Sequence, residues 1–383
     1  MIDSFRTLFG SADGVRVFRA PGRVNLIGEH TDYNLGIVLP VALQLATTIA
    51  IAPSHDGKLR IYSEHQREMR QWDGAEIGSL GLTQRARVED WSDYPIGVAQ
   101  QLAQTGYPIA PANLLIRSTV PEGAGLSSSA ALEVSSALAF LQGRRMGPLD
   151  LASLCQRAEV TFVGMPCGIM DQYVSVFGRA GSAVAIDCRS LEHRYVDLPS
   201  GAAFIAVNSM VKHALATSAY RQRVEECAAA VERIQQRFPS VESLRDLTPQ
   251  QLDAAHLSGA VGKRARHVVT ENERVECFIQ ASASGDLAAM GELLVESHRS
   301  LQHDYEVSCP ELDFLVDTAL SVEGVYGSRM TGGGFGGCTV TMLSPGAIPR
   351  FRETIAHAYR QRYHTEPAYY ECKPSAGAGE CSL

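Results

Sequence analysis

Three short stretches concentrate the residue types that do chemistry. The first, Gly22-Arg-Val-Asn-Leu-Ile-Gly-Glu-His-Thr-Asp-Tyr-Asn34, packs Arg23, Glu29, His30 and Asp32 beside turn formers. Two carboxylates and an imidazole on one loop suit a polyhydroxylated ligand, because a carboxylate accepts several hydroxyl hydrogen bonds at once. A solvated turn with a capping Asp32 fits the same residues, and both readings stand at this point. A metal centre is the weaker reading, since no second histidine lies nearby.

The second stretch, Pro121-Glu-Gly-Ala-Gly-Leu-Ser-Ser-Ser-Ala130, leads into a helical pattern. Gly123 and Gly125 let the backbone turn tightly and approach a ligand. The helix start adds unpaired N–H groups and the positive end of the helix dipole, so the loop reads as a phosphate cradle built without a lysine. It is not a Walker A loop, because the Gly-Lys-Ser/Thr ending is absent. An ordinary serine-rich helix cap is the competing reading. In the third stretch, Ser328-Arg-Met-Thr-Gly-Gly-Gly-Phe-Gly-Gly337, Gly332, Gly334 and Gly337 match GxGxxG. A dinucleotide fingerprint needs a helix after those glycines. Here a strand-like run, Cys338–Leu343, follows. Such a loop still calls for close backbone approach, to a ligand or to a neighbouring strand.

The elements that must hold these stretches follow from periodicity. Short β-like runs dominate the first part: Val15–Ala20, Ile37–Val41, Ala46–Ala52, Leu59–Ser63 and Asn113–Ser118. Leu126–Leu141 reads as a helix of small residues, and a second helix is expected from an Asp150 cap to about Phe162. Strands are expected at Ala183–Asp187 and Phe204–Asn208. Helices are expected at Tyr220–Phe238, Gly262–Ala283, Leu287–His303, Pro310–Val322 and Pro349–Tyr363. From Leu35 to His55 there is no Asp, Glu, Lys or Arg. Pro40, Pro53 and the β-branched content favour two buried strands there over a membrane helix.

The chain has 383 residues, 45% of them hydrophobic and 20% charged, which excludes wholesale disorder and suits two domains. A net charge of −8 argues against a dedicated nucleic-acid binder. It leaves room for a phosphate ligand held by backbone N–H groups. Nine cysteines without CxxC spacing, and an N-terminus without a secretory pattern, read as a reduced cytoplasmic protein with free thiols. A monomer with no membrane partner is the expectation.

In this order the three stretches resemble the GHMP small-molecule kinases, and the first is similar to the signature of the bacterial galactokinase branch. The similarity continues through residues 158–172, 208–223, 327–343 and 370–381 and spans nearly the whole chain. It implies an α+β, two-domain GHMP kinase fold: a domain like the second domain of ribosomal protein S5 over residues 1–185, and a ferredoxin-like domain over 186–383. It implies transfer of the ATP γ-phosphoryl to the 1-hydroxyl of α-D-galactose. Asp171 then matches the catalytic aspartate and Arg23 the arginine beside it. From the residues alone Asp171 would read as a helix cap after a glycine turn. Glu29, His30, Thr31, Asp32, Gly168 and Tyr220 match sugar-contacting positions. Gly123, Ala124, Gly125, Leu126, Ser127, Ser128 and Ser129 match the nucleotide-phosphate loop. Ser129 and Glu159 match Mg²⁺ ligands, and Ser63 and Trp91 the adenine side, although Trp91 fits a core aromatic equally well. Asp187, His213 and Arg221 read as structural. Leu35 stands where many relatives carry a polar residue. A non-catalytic sensor, an N-acetylgalactosamine kinase and an NAD-dependent oxidoreductase are the competing functions. Ser128-Ser129-Ala130-Ala131 together with Asp171 favours an active kinase.

Overall fold

A computed structural model describes residues 1–80, 87–212 and 216–382. The charge-free stretch after Leu35 folds as a two-residue strand, β2 (Ile37–Val38), and a long central strand, β3 (Pro40–Pro53). Both faces of β3 are covered. Ile49 and Ile51 join Ile96, Leu102, Val134 and Phe140 of the overlying helices. Ala50 and Ala52 pack on Phe5 of the N-terminal helix Ile2–Phe9. Each such buried aliphatic side chain contributes about 1.5–3 kcal/mol relative to exposure. That explains why the run lacks the alternation of a half-exposed strand.

Around β3 a six-stranded sheet forms from β1 (Arg16–Asn25), β4 (Leu59–Ser63), β5 (Glu68–Trp72), β6 (Ala112–Ser118) and β13 (Gly379–Glu380). The order is β13-β1-β3-β6-β4-β5, and only β4 and β6 run parallel. β7 (Ser182–Asp187) pairs with β2 and with β8 (His193–Asp197) in a three-stranded sheet. β9 (Ala203–Lys212), β10 (Val325–Thr331), β11 (Gly336–Leu343) and β12 (Ala368–Glu371) form an antiparallel sheet ordered β10-β11-β9-β12.

The sheets share a core. Val24, Leu26, Leu39 and Leu43 of the first sheet region pack with Phe204, Ala206, Cys338 and Val340 of the last, and with Phe278, Met290 and Leu294 of the helices beneath. Chain ends also cross over, since Phe18 of β1 pairs with Glu380. β7 to β8 carries the chain through the region of residue 185 without a linker.

The second expected helix starts earlier than its sequence suggests. It runs Pro148–Ala158 with Gly147 as N-cap, and Asp150 lies in the first turn. Pro148 explains the start, because its fixed φ is ready-made for a first helical position. The helix then widens into a π turn, Glu159–Val163, closed by Gly164 in the left-handed conformation. Asp171 is not a cap either: Ile169 is the N-cap of Met170–Phe177 and Asp171 sits in its first turn. All nine cysteines are unpaired. No helix among the described residues is long and apolar enough to cross a membrane. His213 lies outside the described residues.

Candidate active site

The loop between β6 and the helix Ser128–Leu141 alternates left-handed residues: Gly123 at φ 67°, Gly125 at 75° and Ser127 at 58°. Serine in that region is strained, and such strain persists where the surroundings hold it. The result is a curled backbone ahead of a helix N-terminus, the geometry that presents N–H groups to an anion. The second glycine loop braces it from behind. A Cβ on Gly332 would lie 3.1 Å from the Gly125 carbonyl oxygen, and one on Gly337 would lie 3.2 Å from that of Ala124. The close approach expected of the third stretch is therefore to the first glycine loop, while Gly332 and Gly333 also line a cavity.

Arg23 reaches this loop because β1 is irregular. The register shifts between Pro21 and Arg23. Gly22 packs so tightly that a Cβ would lie 2.5 Å from the Leu126 carbonyl oxygen, and the Arg23 N–H donates to that same oxygen at 3.1 Å. The Arg23 guanidinium donates to the Gly125 carbonyl at 2.6 Å and lies 2.8 Å from Asp171 Oδ1 and 3.0 Å from Oδ2. The Ser127 hydroxyl donates to Asp171 Oδ2. One carboxylate is thus held by a cation and a hydroxyl, with a quarter of its side chain still exposed to the cavity (25%).

That cavity, of about 350 Å³, is lined by Arg23, Glu29, His30, Asp32, Gly168, Asp171 and Tyr220. Asp32 is buried and its pKa is pushed up to about 7, first by burial and then by the Asp171 charge; the Tyr33 N–H and Arg23 pull it back. Gly168 faces it: a Cβ there would lie 2.0 Å from Asp32 Oδ2, so any side chain would push the carboxylate aside. Glu29 is committed to the protein. Its Oε2 accepts from Arg329 at 2.8 Å and Asn25 at 3.0 Å, and its Oε1 accepts from the Gly332 N–H at 2.8 Å. Thr31 does not line the cavity. Its hydroxyl lies 2.9 Å from the Gly28 carbonyl and 2.8 Å from that of Ile37, bracing the loop. Leu35 is exposed, with a left-handed φ of 58° that suits a polar residue better.

A larger cavity of about 770 Å³ adjoins the first and shares Gly123, Ser128 and Ser129 with it. Ser63, Trp91, Ile116 and Leu132 also line it. Trp91 is partly buried there, with its indole N–H 3.4 Å from Glu68 Oε2. Ala124 and Leu126 contribute backbone only, since their side chains belong to the core.

Glu159 lines the smaller cavity beside Ser129. Burial and the Asp171 charge push its pKa up to about 7, and hydrogen bonds from Ser129, Cys167 and Gln172 pull it back. A hydroxyl and a carboxylate side by side, among carboxylates that repel one another, fit a hard divalent cation. No three or more His, Cys, Asp or Glu among the described residues are spaced to hold a metal. Its remaining ligands would come from phosphate oxygens and water, the usual arrangement for magnesium. Gln172, which no motif singled out by role, donates to Glu159 at 2.6 Å and to the buried Glu133 at 2.8 Å. Asp187 is structural, paired with Arg245, and exposed Arg221 donates to the Gly164 carbonyl at 3.4 Å.

Comparison with known proteins agrees with this geometry. Family models match along the chain: the galactokinase galactose-binding signature over residues 3–53, the GHMP kinases N terminal domain over 93–179 and the GHMP kinases C terminal domain over 278–361. The galactokinase of Roseiflexus sp. (strain RS-1) is 47% identical over 368 residues, covering 95% of this chain and 92% of its own. The chain belongs to the galactokinase family. A second member, from Chloroflexus aggregans, is 44% identical over 98% of this chain and 95% of its own. The crystal structure of Lactococcus lactis galactokinase complexed with galactose superposes with a TM-score of 0.93 at 34% identity, covering 99% of this chain and 98% of that one. Methanococcus jannaschii mevalonate kinase, 15% identical, shares the GHMP kinase fold at a TM-score of 0.69 over 95% of this chain and 99% of its own. Membership makes the chain an ATP-dependent sugar kinase. The oxidoreductase reading is excluded, since β11 follows the third glycine stretch directly.

Proposed function

We propose that this galactokinase-family site transfers the γ-phosphoryl of ATP to the 1-hydroxyl of α-D-galactose, giving galactose 1-phosphate and ADP. The observation that carries the reading is the position of Asp171. It lines the smaller cavity, held by Arg23 and by Ser127, the residue before the Ser128 and Ser129 that both cavities share. The larger cavity takes ATP, with its adenine toward Ser63 and Trp91 and its phosphates over Gly123–Ser129. The smaller takes the sugar, whose hydroxyls meet Asp32, His30 and Tyr220. Asp171 accepts the proton of the 1-hydroxyl as the new bond forms. Arg23 orients Asp171 and stabilises charge on the transferring phosphoryl. Most of the rate enhancement in such transfers comes from positioning and charge stabilisation. Magnesium, bound by Ser129 and Glu159, would neutralise charge on the β- and γ-phosphates. Two domains, divided near residue 185 within β7 and with Gly379–Glu380 returning to the first sheet, flank this cleft. Unpaired cysteines support a cytoplasmic setting.

An ADP-release assay over galactose, N-acetylgalactosamine, glucose and arabinose tests the reading. Galactose is expected to give the highest kcat/KM. Equal or greater turnover on another sugar would overturn the substrate assignment.

A further inference from the structure

His30 turns one ring nitrogen to a chain of protein hydroxyls and the other to the sugar cavity. Nδ1 lies 2.9 Å from the Tyr33 hydroxyl. That hydroxyl lies 2.7 Å from the Tyr305 hydroxyl, which is 3.0 Å from the Cys227 sulfur. The sulfur receives the Asn34 amide at 3.6 Å, and the same amide nitrogen donates to the His30 carbonyl at 2.9 Å. The chain joins the sugar loop, the helix Ala216–Gln235 and the π turn Leu301–Tyr305. At its far end Nε2 has no hydrogen bond of good geometry with the protein, although His30 is only 4% exposed and the Gly333 backbone interacts weakly with the ring. The ring lines the sugar cavity beside Tyr220 and Gly333.

The proton directions follow from what each group can do. An amide NH₂ only donates, so the Cys227 sulfur is an acceptor toward Asn34 and its own proton is left for the Tyr305 oxygen. Sulfur is a weak acceptor, so the Tyr305 hydroxyl donates to Tyr33 and Tyr33 donates to Nδ1. A neutral imidazole that accepts at Nδ1 carries its proton on Nε2. The ring is neutral: burial first, then His267, Arg223 and Arg329, hold its pKa well below the usual histidine range, against a smaller pull upward from the Gly333 backbone.

We propose that Cys227, Tyr305 and Tyr33 are positioning residues that fix His30 as an Nε2–H donor toward the sugar. Asp32 accepts from sugar hydroxyls, and His30 then supplies a donor for a sugar oxygen in the same cavity. A sugar whose hydroxyls are placed for this donor–acceptor pair is held, and one that brings no hydroxyl to either group leaves a buried polar group unpaired. The kinetic consequence rests on the galactokinase reading above, whereas the tautomer does not.

The test is ¹⁵N NMR of the wild-type protein labelled at histidine, with His30 assigned through His30→Gln. The expected spectrum has His30 Nδ1 in the range of an unprotonated ring nitrogen and Nε2 in the range of an N–H. Tyr305→Phe and Cys227→Ala are expected to raise the galactose KM about five- to tenfold, an amount typical of one weakened hydrogen bond, with the ATP KM changed less than about twofold. Cys227→Ser, whose hydroxyl still donates, is expected to restore the wild-type sugar KM. An Nδ1–H tautomer in the wild type overturns the proposal without any variant needing to fold. So does a Tyr305→Phe protein whose sugar and ATP KM values rise together or not at all. Absence of galactose turnover with the Nε2–H tautomer present would instead overturn the substrate assignment and leave the proton chain standing.

Discussion

Arg23 holds Asp171 and the phosphate loop with one guanidinium: 2.8 Å to the Asp171 carboxylate and 2.6 Å to the Gly125 carbonyl. A sugar-side acid and a nucleotide-side loop are thereby locked in a single geometry. Lysine offers a point charge in place of a planar fork and cannot span both partners. Arg23→Lys is expected to lower kcat about 10²-fold, with smaller changes in either KM. Steady-state kinetics against both substrates checks it.

Gly168 gives a steric prediction. A methyl group at that position would collide with Asp32, at 2.0 Å from Oδ2. Gly168→Ala is expected to displace the carboxylate and raise the galactose KM at least about tenfold while sparing the ATP KM. Titration of each substrate at saturating levels of the other separates the two.

Asp32 gives a pH prediction. Its folded pKa is about 7, against about 3.9 for an unfolded aspartate. Between those values the folded protein keeps a proton that the unfolded chain has released, so this residue makes stability fall as pH rises from about 4 to about 7. Asp32→Asn is expected to remove that contribution, seen as a shallower decline of Tm over the window. Sugar hydroxyls favour the ionised carboxylate, so galactose should bind more tightly as pH approaches 7. Calorimetric melting and binding at several pH values check both signs.

Arg329 and Glu29 form an ion pair in which the arginine side chain is 0% and the glutamate 3% exposed. Removing one partner leaves a buried charge, which costs about 3–5 kcal/mol. Arg329→Met is expected to destabilise by that amount, and Arg329→Met combined with Glu29→Gln by less than the two singles added. Denaturant unfolding of the three variants measures the coupling.

Much of this was legible in the chain. The charge-free run after Leu35 announced buried strands, and the order of glycines and serines at 123–129 announced a helix-start loop. The glycines at 332–337 were correctly denied a dinucleotide role by the strand that follows. Other features had no local signal. Glu29 resembles a sugar ligand by position and lines the cavity, yet its carboxylate is also held by Arg329, 300 positions away, with Asn25 and the Gly332 N–H. Tyr305 and Cys227 carry no motif, and they meet the sugar loop only through tertiary packing. Asp171 read as a cap because periodicity over so short a helix is weak, and Pro148 displaced the expected Asp150 start because a proline at the first helical position outweighs an aspartate cap one turn in.

The central claim, phosphoryl transfer at Asp171 to the anomeric hydroxyl, is tested most directly by ³¹P NMR of the product. Wild type and Asp171→Asn are compared with ATP, Mg²⁺ and galactose. Wild type is expected to yield galactose 1-phosphate, and Asp171→Asn to slow its formation about 10²- to 10⁴-fold while still binding ATP. Phosphate on another hydroxyl, or near-normal turnover in Asp171→Asn, would contradict it.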